Sequence, residues 1–343
     1  MMAPYTVGSA KKGLDGVHVL VLGSTGQVGS ALVKKLRDHG ASVTAWSREQ
    51  IPNYDLQQLQ TELEALEVLS PVSDSPSSHS SPRSTRALPP LGVPSVIINA
   101  AAYTQVDQAE TDTESATRVN AELPRLLAEH AKKIHAVLIH YSTDYVYAGE
   151  GTKPHQESDS TAPLNHYGRS KLRGDQVIEQ IAPRYLILRT SWVYSATGKN
   201  FFNTMLKFGQ ERSQLKVVND QVGSPTYAPD LAELTLLALA RALEQEAVCK
   251  KFPSGIYHLC NAGTTTWHQF ASQIFDLARE HHIPLQLQHL EAIPTSSYPT
   301  PARRPLNSRL SLKKLEGQFG IQPRPWTEAL RECFEVWYRQ TSS

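Results

Sequence analysis

Apolar runs alternate with amphipathic stretches along the first 190 or so residues. Residues 18–22 (HVLVL) form a short continuous apolar run, followed by a glycine-containing turn and a helical pattern through Leu36. Gly40 suits a helix C-terminus, and residues 42–46 (SVTAW) read as a second strand. Leu56, Leu59, Leu63 and Leu66 recur every three or four residues, which predicts a helix over 56–69 with one buried face. Further apolar runs lie at 95–101 (SVIINAA), 136–141 (AVLIHY) and 185–190 (YLILRT), each separated from the next by a helical segment. Continuous rather than alternating hydrophobicity marks strands buried on both faces, as in a parallel sheet covered by helices. The expected fold class is therefore α/β, a Rossmann-type doubly wound parallel sheet.

Residues 70–94 interrupt the pattern. They are rich in Ser and Pro and poor in large apolar side chains, so burial cannot offset the entropy of ordering them. They read as a disordered insertion between a helix and the next strand. After about residue 190 the regularity weakens: Pro-rich stretches at 222–229 and 294–305 alternate with helical segments near 230–245, 266–280 and 326–338. The expected organisation is a disordered tail over 1–16, a doubly wound domain over 17–190, and a smaller C-terminal α/β part over 191–340 that mainly binds substrate.

Charge changes the picture by exclusion. With 34 basic and 33 acidic residues the chain lacks the basic excess that nucleic acid or an anionic membrane would favour. Nor does any stretch approach the roughly 18 uninterrupted apolar residues of a membrane span. The first 16 residues carry Lys11, Lys12 and Asp15 without an apolar centre, unlike a signal peptide. Cys249, Cys260 and Cys333 are far apart, with no metal-type pairing, and suit a reducing cytoplasm.

The loop after the first strand carries the first chemistry. In Gly23-Ser24-Thr25-Gly26-Gln27-Val28-Gly29 the first glycine permits a tight turn and the second lets the backbone approach a pyrophosphate. The third allows close packing of helix on strand, and the helix N-terminus then presents free N–H groups to phosphates. This makes 17–190 an NAD(P)-binding Rossmann domain. An acidic residue at the end of the second strand would bond the ribose 2′-hydroxyl of NADH. Trp46-Ser47-Arg48 stands there instead, which favours NADPH over NADH, with Ser47 and Arg48 at the ribose and Asp55-Leu56 beside the adenine.

Tyr167 and Lys171 lie four apart, on one face of a helix. A ketone reduction needs a hydride and a proton, and a free tyrosine, with a pKa of about 10, is a slow partner at neutral pH. A nearby ammonium is expected to lower that pKa. The strand at 136–141 ends in Ser142-Thr143-Asp144-Tyr145, placing hydroxyls at the edge where such sheets bind ligands. Asn99-Ala-Ala-Ala-Tyr103-Thr104 ends another strand with small residues that let a cofactor lie close.

Taken with GSTGQVG (23–29), NAAAYTQVDQAE (99–110), HYSTDYVY (140–147), APLNHYGRSK (162–171), RTSWVY (189–194), NDQVGSPT (219–226), YHLCNAGTTTW (257–267) and YPTPARRPLNSRL (298–310), the chain resembles the dTDP-4-dehydrorhamnose reductase family of extended short-chain dehydrogenases/reductases. The resemblance implies that Tyr167 donates the proton, supported by Lys171, with Thr143 tuning the carbonyl. Gly26, Gln27, Val28, Asp55, Leu56, Ala102, Tyr103 and Thr104 would then line the cofactor. Thr143, Asp144 and Trp192 would contact a dTDP-sugar, and Arg303 and Arg304 suit its diphosphate, because arginine forks match phosphate. Some members dimerise around magnesium held by glutamates. The matching positions here are Ala31 and Pro229, so no metal is expected and a homodimer loses that support. Two alternatives stay open: a reductase for another nucleotide-linked keto-sugar, of the streptose type, and a non-catalytic regulatory subunit like that of methionine adenosyltransferase, which resembles the same family.

Overall fold

The computed structural model describes residues 14–68 and 92–341. Residues 1–13 and 69–91, which hold most of the expected tail and Ser/Pro-rich insertion, lie outside the described residues. Leu14 is 1% exposed in the main core, so the folded chain reaches back into the segment expected to be tail.

The first half alternates strand and helix: β1 (His18–Leu22), α1 (Gln27–Asp38), β2 (Ser42–Trp46), α2 (Leu56–Val68) and β3 (Val96–Asn99). Then come α3 (Thr113–Thr117) and α4 (Leu123–Lys133), joined through a π turn at Arg118–Glu122, and β4 (Val137–Thr143), α5 (His166–Ile181) and β5 (Tyr185–Thr190). Past β5 the chain leaves the sheet through β6 (Val193–Tyr194), α6 (Phe201–Glu211), β7 (Gln214–Val218), β8 (Val222–Gly223) and β9 (Thr226–Tyr227). It then returns. Helix α7 (Ala228–Cys249) packs against α1, and β10 (Gly255–His258) pairs in parallel with β5. A second excursion runs through β11 (Thr265–Thr266), α8 (Trp267–Glu280) and β12 (His289–Ile293), and the chain ends in α9 (Lys313–Phe319) and α10 (Trp326–Thr341).

The main sheet has the order β10-β5-β4-β3-β1-β2, parallel throughout. Its runs bury both faces, as their unbroken hydrophobicity predicts. Val19 and Val21 of β1 face one cluster with Leu32 and Leu36 of α1 and Leu231 and Leu239 of α7. Leu20 and Leu22 face the other, with Leu59 and Leu63 of α2 and Leu123 and Leu127 of α4. Each such buried leucine contributes about 2 kcal/mol. The order in which strands are added reverses between β1 and β3, and there the carboxyl ends of the strands open a crevice suited to ligands.

The division expected at residue 190 is crossed twice, since α7 and β10 belong to the first sheet's layers. The C-terminal excursions have their own core, in which Phe202, Phe270, Phe275 and Phe334 pack behind the parallel pair β7–β12. Helix α6 and strand β10 were not expected. Gly255–His258 is too short, and too rich in polar and glycine residues, to stand out as an apolar run.

Candidate active site

Glycine shapes the turn after β1. Gly23 takes φ +78°, and a Cβ there would sit 2.6 Å from the Ala101 nitrogen. A Cβ on Gly29 would lie 2.0 Å from the Gly23 carbonyl oxygen, so helix α1 meets the loop in bare backbone contact. Helix α1 starts at Gly26 with no side-chain cap, which leaves its first N–H groups facing the crevice. A cleft of ≈ 600 Å³ opens there, lined by Gly23, Thr25, Gly26, Gln27, Val28 and Arg48 on one side. Ala102, Tyr103 and Thr104 line it on another, and Tyr167 and Lys171 close its inner end. The glycine loop lining the cleft, the uncapped start of α1, and the buried Arg118 Nε without a hydrogen-bond partner at its wall fit a dinucleotide phosphate chain.

Helix α5 brings the reacting pair to this cleft. Asn165 caps it by accepting from the Gly168 N–H at 2.8 Å, and its amide donates to the Arg303 carbonyl at 2.7 Å. Gly168 lets the first turn lie against the chain after β4, since a Cβ there would stand 2.3 Å from the Tyr145 oxygen. That approach brings the Tyr167 hydroxyl close to that of Thr143, and its ring edge-on to Tyr145 at 5.7 Å. Burial, chiefly, pushes Tyr167 up to about 12, with the Asp144 and Asp175 charges adding and the Thr143 bond opposing. The expected lowering by Lys171 is not what the geometry gives. Lys171 is 1% exposed, donates to the Tyr141 carbonyl at 2.6 Å and meets His140 Nε2 at 3.1 Å. Burial brings its own pKa down to about 8, against the pull of Asp175.

Asp144 lies beside this pair at 2% exposure, with one carboxyl oxygen accepting from Thr143 at 3.1 Å and the other without a partner. Burial pushes it up to about 7, against the opposing pull of the nearby Ser308 and Thr143 hydroxyls. On the far side of Tyr145 a second cavity of ≈ 580 Å³ opens, walled by Phe201, Phe208, Trp267 and Tyr298 with Arg212 and Arg304 among its polar residues.

The RmlD substrate binding domain family model matches residues 17–339. The chain belongs to the RmlD substrate binding domain family. It is 44% identical over 249 residues to the dTDP-4-dehydrorhamnose reductase of Escherichia coli K12, covering 73% of this chain and 82% of that one. Its fold is similar to the crystal structure of a dTDP-4-dehydrorhamnose reductase from Clostridium acetobutylicum, with a TM-score of 0.77 and 29% identity over 94% of this chain and 100% of that one. A Bacillus anthracis dTDP-4-dehydrorhamnose reductase solved with NADP gives 0.75 and 28%, over 94% and 99%.

Within this RmlD-type frame the cleft does not collect every residue singled out in the sequence. Gly29 acts from behind the loop. Ser47 is 2% exposed and its hydroxyl donates to Gln50, not into the cleft. Asp55 is exposed and caps α2, accepting from the Gln58 N–H at 2.8 Å, while Leu56 packs against the core. Asn53 and Tyr54 line the cleft in their place. Arg304 does reach the second cavity, but it is held by Asp107 through two bonds of 2.7 and 3.0 Å. Arg303 is exposed and holds Asn165 through its backbone carbonyl. Trp192 adopts φ +48° and stacks on Trp267 at 3.7 Å, filling space that the absent side chain of Gly223 leaves.

Several residues of the site carry no sequence signal of their own. Asn120, in the π turn, accepts from the Tyr103 N–H at 2.9 Å and donates to Ser170 at 3.0 Å, tying the end of β3 to α5. Beneath Lys171, Asp175 pairs with Arg189 at 3.1 Å and accepts from Ser142 at 2.9 Å, all buried. Among the described residues no group of three or more His, Cys, Asp or Glu could hold a metal, and no helix is long and apolar enough to cross a membrane.

Proposed function

We propose that this chain is an NAD(P)H-dependent dTDP-4-dehydrorhamnose reductase that converts the C4 ketone of dTDP-4-dehydro-L-rhamnose to the alcohol of dTDP-L-rhamnose. The observation that carries the reading is that Tyr167, which with Lys171 closes the glycine-lined cleft, lies edge-on at 5.7 Å to Tyr145 of the aromatic-walled second cavity, with Thr143 beside it. Gly23, Gly26 and the open end of α1 hold the pyrophosphate, and Ala102, Tyr103 and Thr104 pack along the dinucleotide. The bound nicotinamide supplies the hydride.

Tyr167 and Thr143 bracket the ketone oxygen. As that oxygen becomes an alkoxide, the Tyr167 O–H bond breaks and its proton moves across. A tyrosine pushed up to about 12 is fully protonated at neutral pH, as a reduction requires. Asp144, with its unpaired oxygen, accepts from a sugar hydroxyl, and Trp192 packs against the ring. The aromatic residues of the second cavity suit a thymine base, and Arg212 suits the diphosphate. NADPH is the preferred donor: Arg48 lines the cleft, and the second strand ends in buried Trp46 rather than a carboxylate.

The test is loss of reduced-nicotinamide absorbance with dTDP-4-dehydro-L-rhamnose, run with NADPH and with NADH, and NMR identification of the product. Formation of dTDP-L-rhamnose, faster with NADPH, is expected. Turnover only of other nucleotide-linked keto-sugars would move the assignment to a related reductase. No turnover at all, with altered kinetics of a bound methionine adenosyltransferase, would replace it with the regulatory reading.

A further inference from the structure

Three buried side chains behind the reacting pair have a hydrogen-bond order that only one arrangement of protons satisfies. Asn99 of β3 and His140 of β4 are paired across the sheet, at 1% and 0% exposure. The Asn99 carbonyl oxygen accepts from the Ala101 N–H at 3.1 Å, which fixes the amide: turned over, it would set two donors face to face. Its NH2 group therefore points at His140 Nδ1, 3.1 Å away, and donates. An imidazole that accepts at Nδ1 and is neutral carries its proton on Nε2. Burial, with the neighbouring Lys171 charge adding, holds His140 well below its ordinary pKa and so in the neutral form. Its Nε2–H faces Lys171 Nζ at 3.1 Å. An ammonium has no lone pair to receive it, whereas a neutral amine does, while still donating to the Tyr141 carbonyl.

We infer that His140, held by Asn99 as the Nε2–H tautomer, is a positioning residue that favours the neutral amine of Lys171 and thereby eases return of a proton to Tyr167. The inference rests on the ketone-reductase reading. After Tyr167 has given its proton to the alkoxide, an N–H bond of the Lys171 ammonium breaks, water in the cleft that both residues line carries the proton, and the Tyr167 O–H bond re-forms. This leaves a lysine amine whose lone pair takes the His140 Nε2–H. Water then returns a proton to the amine, so the net proton comes from solvent.

The other groups around Lys171 are accounted for. Asp175, one turn further along α5, favours the ammonium but is itself engaged by Arg189 of β5 and by Ser142 of β4. Tyr141 contributes its carbonyl from β4, and Tyr167 stays protonated at rest. His140 is thus the neighbour whose proton position decides which form of Lys171 is better bonded.

Two measurements test this. Two-bond 1H–15N spectra of histidine-labelled protein read the tautomer without turnover, so the result stands even if the substrate assignment fails. A pyridine-like Nδ1 and a protonated Nε2 are expected for His140, and Asn99→Asp should reverse them, because a carboxylate accepts from Nδ1–H. The second is the pH profile of single-turnover reduction. With the bias removed, in His140→Phe or Asn99→Asp, the alkaline limb should move up by about one pH unit, the worth of one hydrogen bond. A His140 in the Nδ1–H form in the wild type would overturn the proposal. So would an alkaline limb that stays in place in both variants, each shown by circular dichroism to be folded.

Discussion

The two cavities on either side of the Tyr145–Tyr167 ring contact are built in different ways. The cofactor cleft is a backbone construction: strand ends of one parallel sheet, a glycine loop, and a helix start with no side-chain cap. It offers a ligand the N–H groups at the start of α1, beside side chains such as Arg48 and Arg118. The second cavity is a side-chain construction, with walls drawn from Tyr145, α6, β7, α8 and the segment around Tyr298 and Arg304. Its parts are held by contacts between distant residues, such as Arg304 to Asp107 and Asn165 to the Arg303 carbonyl. A backbone-built site tolerates change in its side chains and fails when a Cβ is added. A side-chain-built site can be retuned piece by piece, which suits the half of the molecule that must choose among sugars.

Away from the reacting tyrosine, the largest effect should come from adding that Cβ. Gly29→Ala forces an atom to within 2.0 Å of the Gly23 carbonyl oxygen. Overpacking of about 1–3 kcal/mol should weaken NADPH binding by roughly tenfold to a hundredfold in calorimetry. Tight NADPH binding by this variant would show that the loop does not depend on bare backbone contact. Next comes Asn165→Ala, which removes a helix cap worth about 1 kcal/mol and the tie to Arg303. Its KM for the sugar should rise more than the NADPH dissociation constant, because the tie holds Arg303 beside Arg304 of the second cavity.

Asp144 gives a smaller and pH-dependent effect. Its folded pKa of about 7 lies above the ordinary carboxylate value, so the native state binds the extra proton between about pH 4 and 7. The stability it contributes is present below about pH 4 and is lost as pH rises through 7. Asp144→Asn cannot ionise, so its melting temperature relative to wild type should climb across that window. A flat difference from pH 4 to 8 would contradict the burial argument. The smallest effect is expected at Asp55→Ala, which uncaps α2 with a slight fall in melting temperature and no change in cofactor KM.

The same contrast explains what the sequence could show. Runs such as HVLVL are legible because a strand between two helix layers has no polar face, and the glycine loop because its chemistry is contiguous. Tyr167 and Lys171 share one helix turn. By contrast, His140 meets Asn99 and Lys171 only through sheet pairing and helix packing, and Asp107 finds Arg304 across nearly 200 residues. Asp55 is ambiguous in the sequence because an aspartate before a leucine-rich helix is equally good as a cap and as a ligand, and the structure shows the cap. For Tyr167, the i,i+4 lysine suggested a lowered pKa, but spacing carries no information about burial, and burial dominates.

The most direct test of the account is Tyr167→Phe, followed through NADPH binding and single-turnover reduction of dTDP-4-dehydro-L-rhamnose. The dissociation constant for NADPH should be unchanged and the rate reduced by about 10²- to 10⁴-fold, the usual worth of a general acid. A wild-type rate, or a loss of cofactor binding large enough to explain the lost turnover, would contradict it.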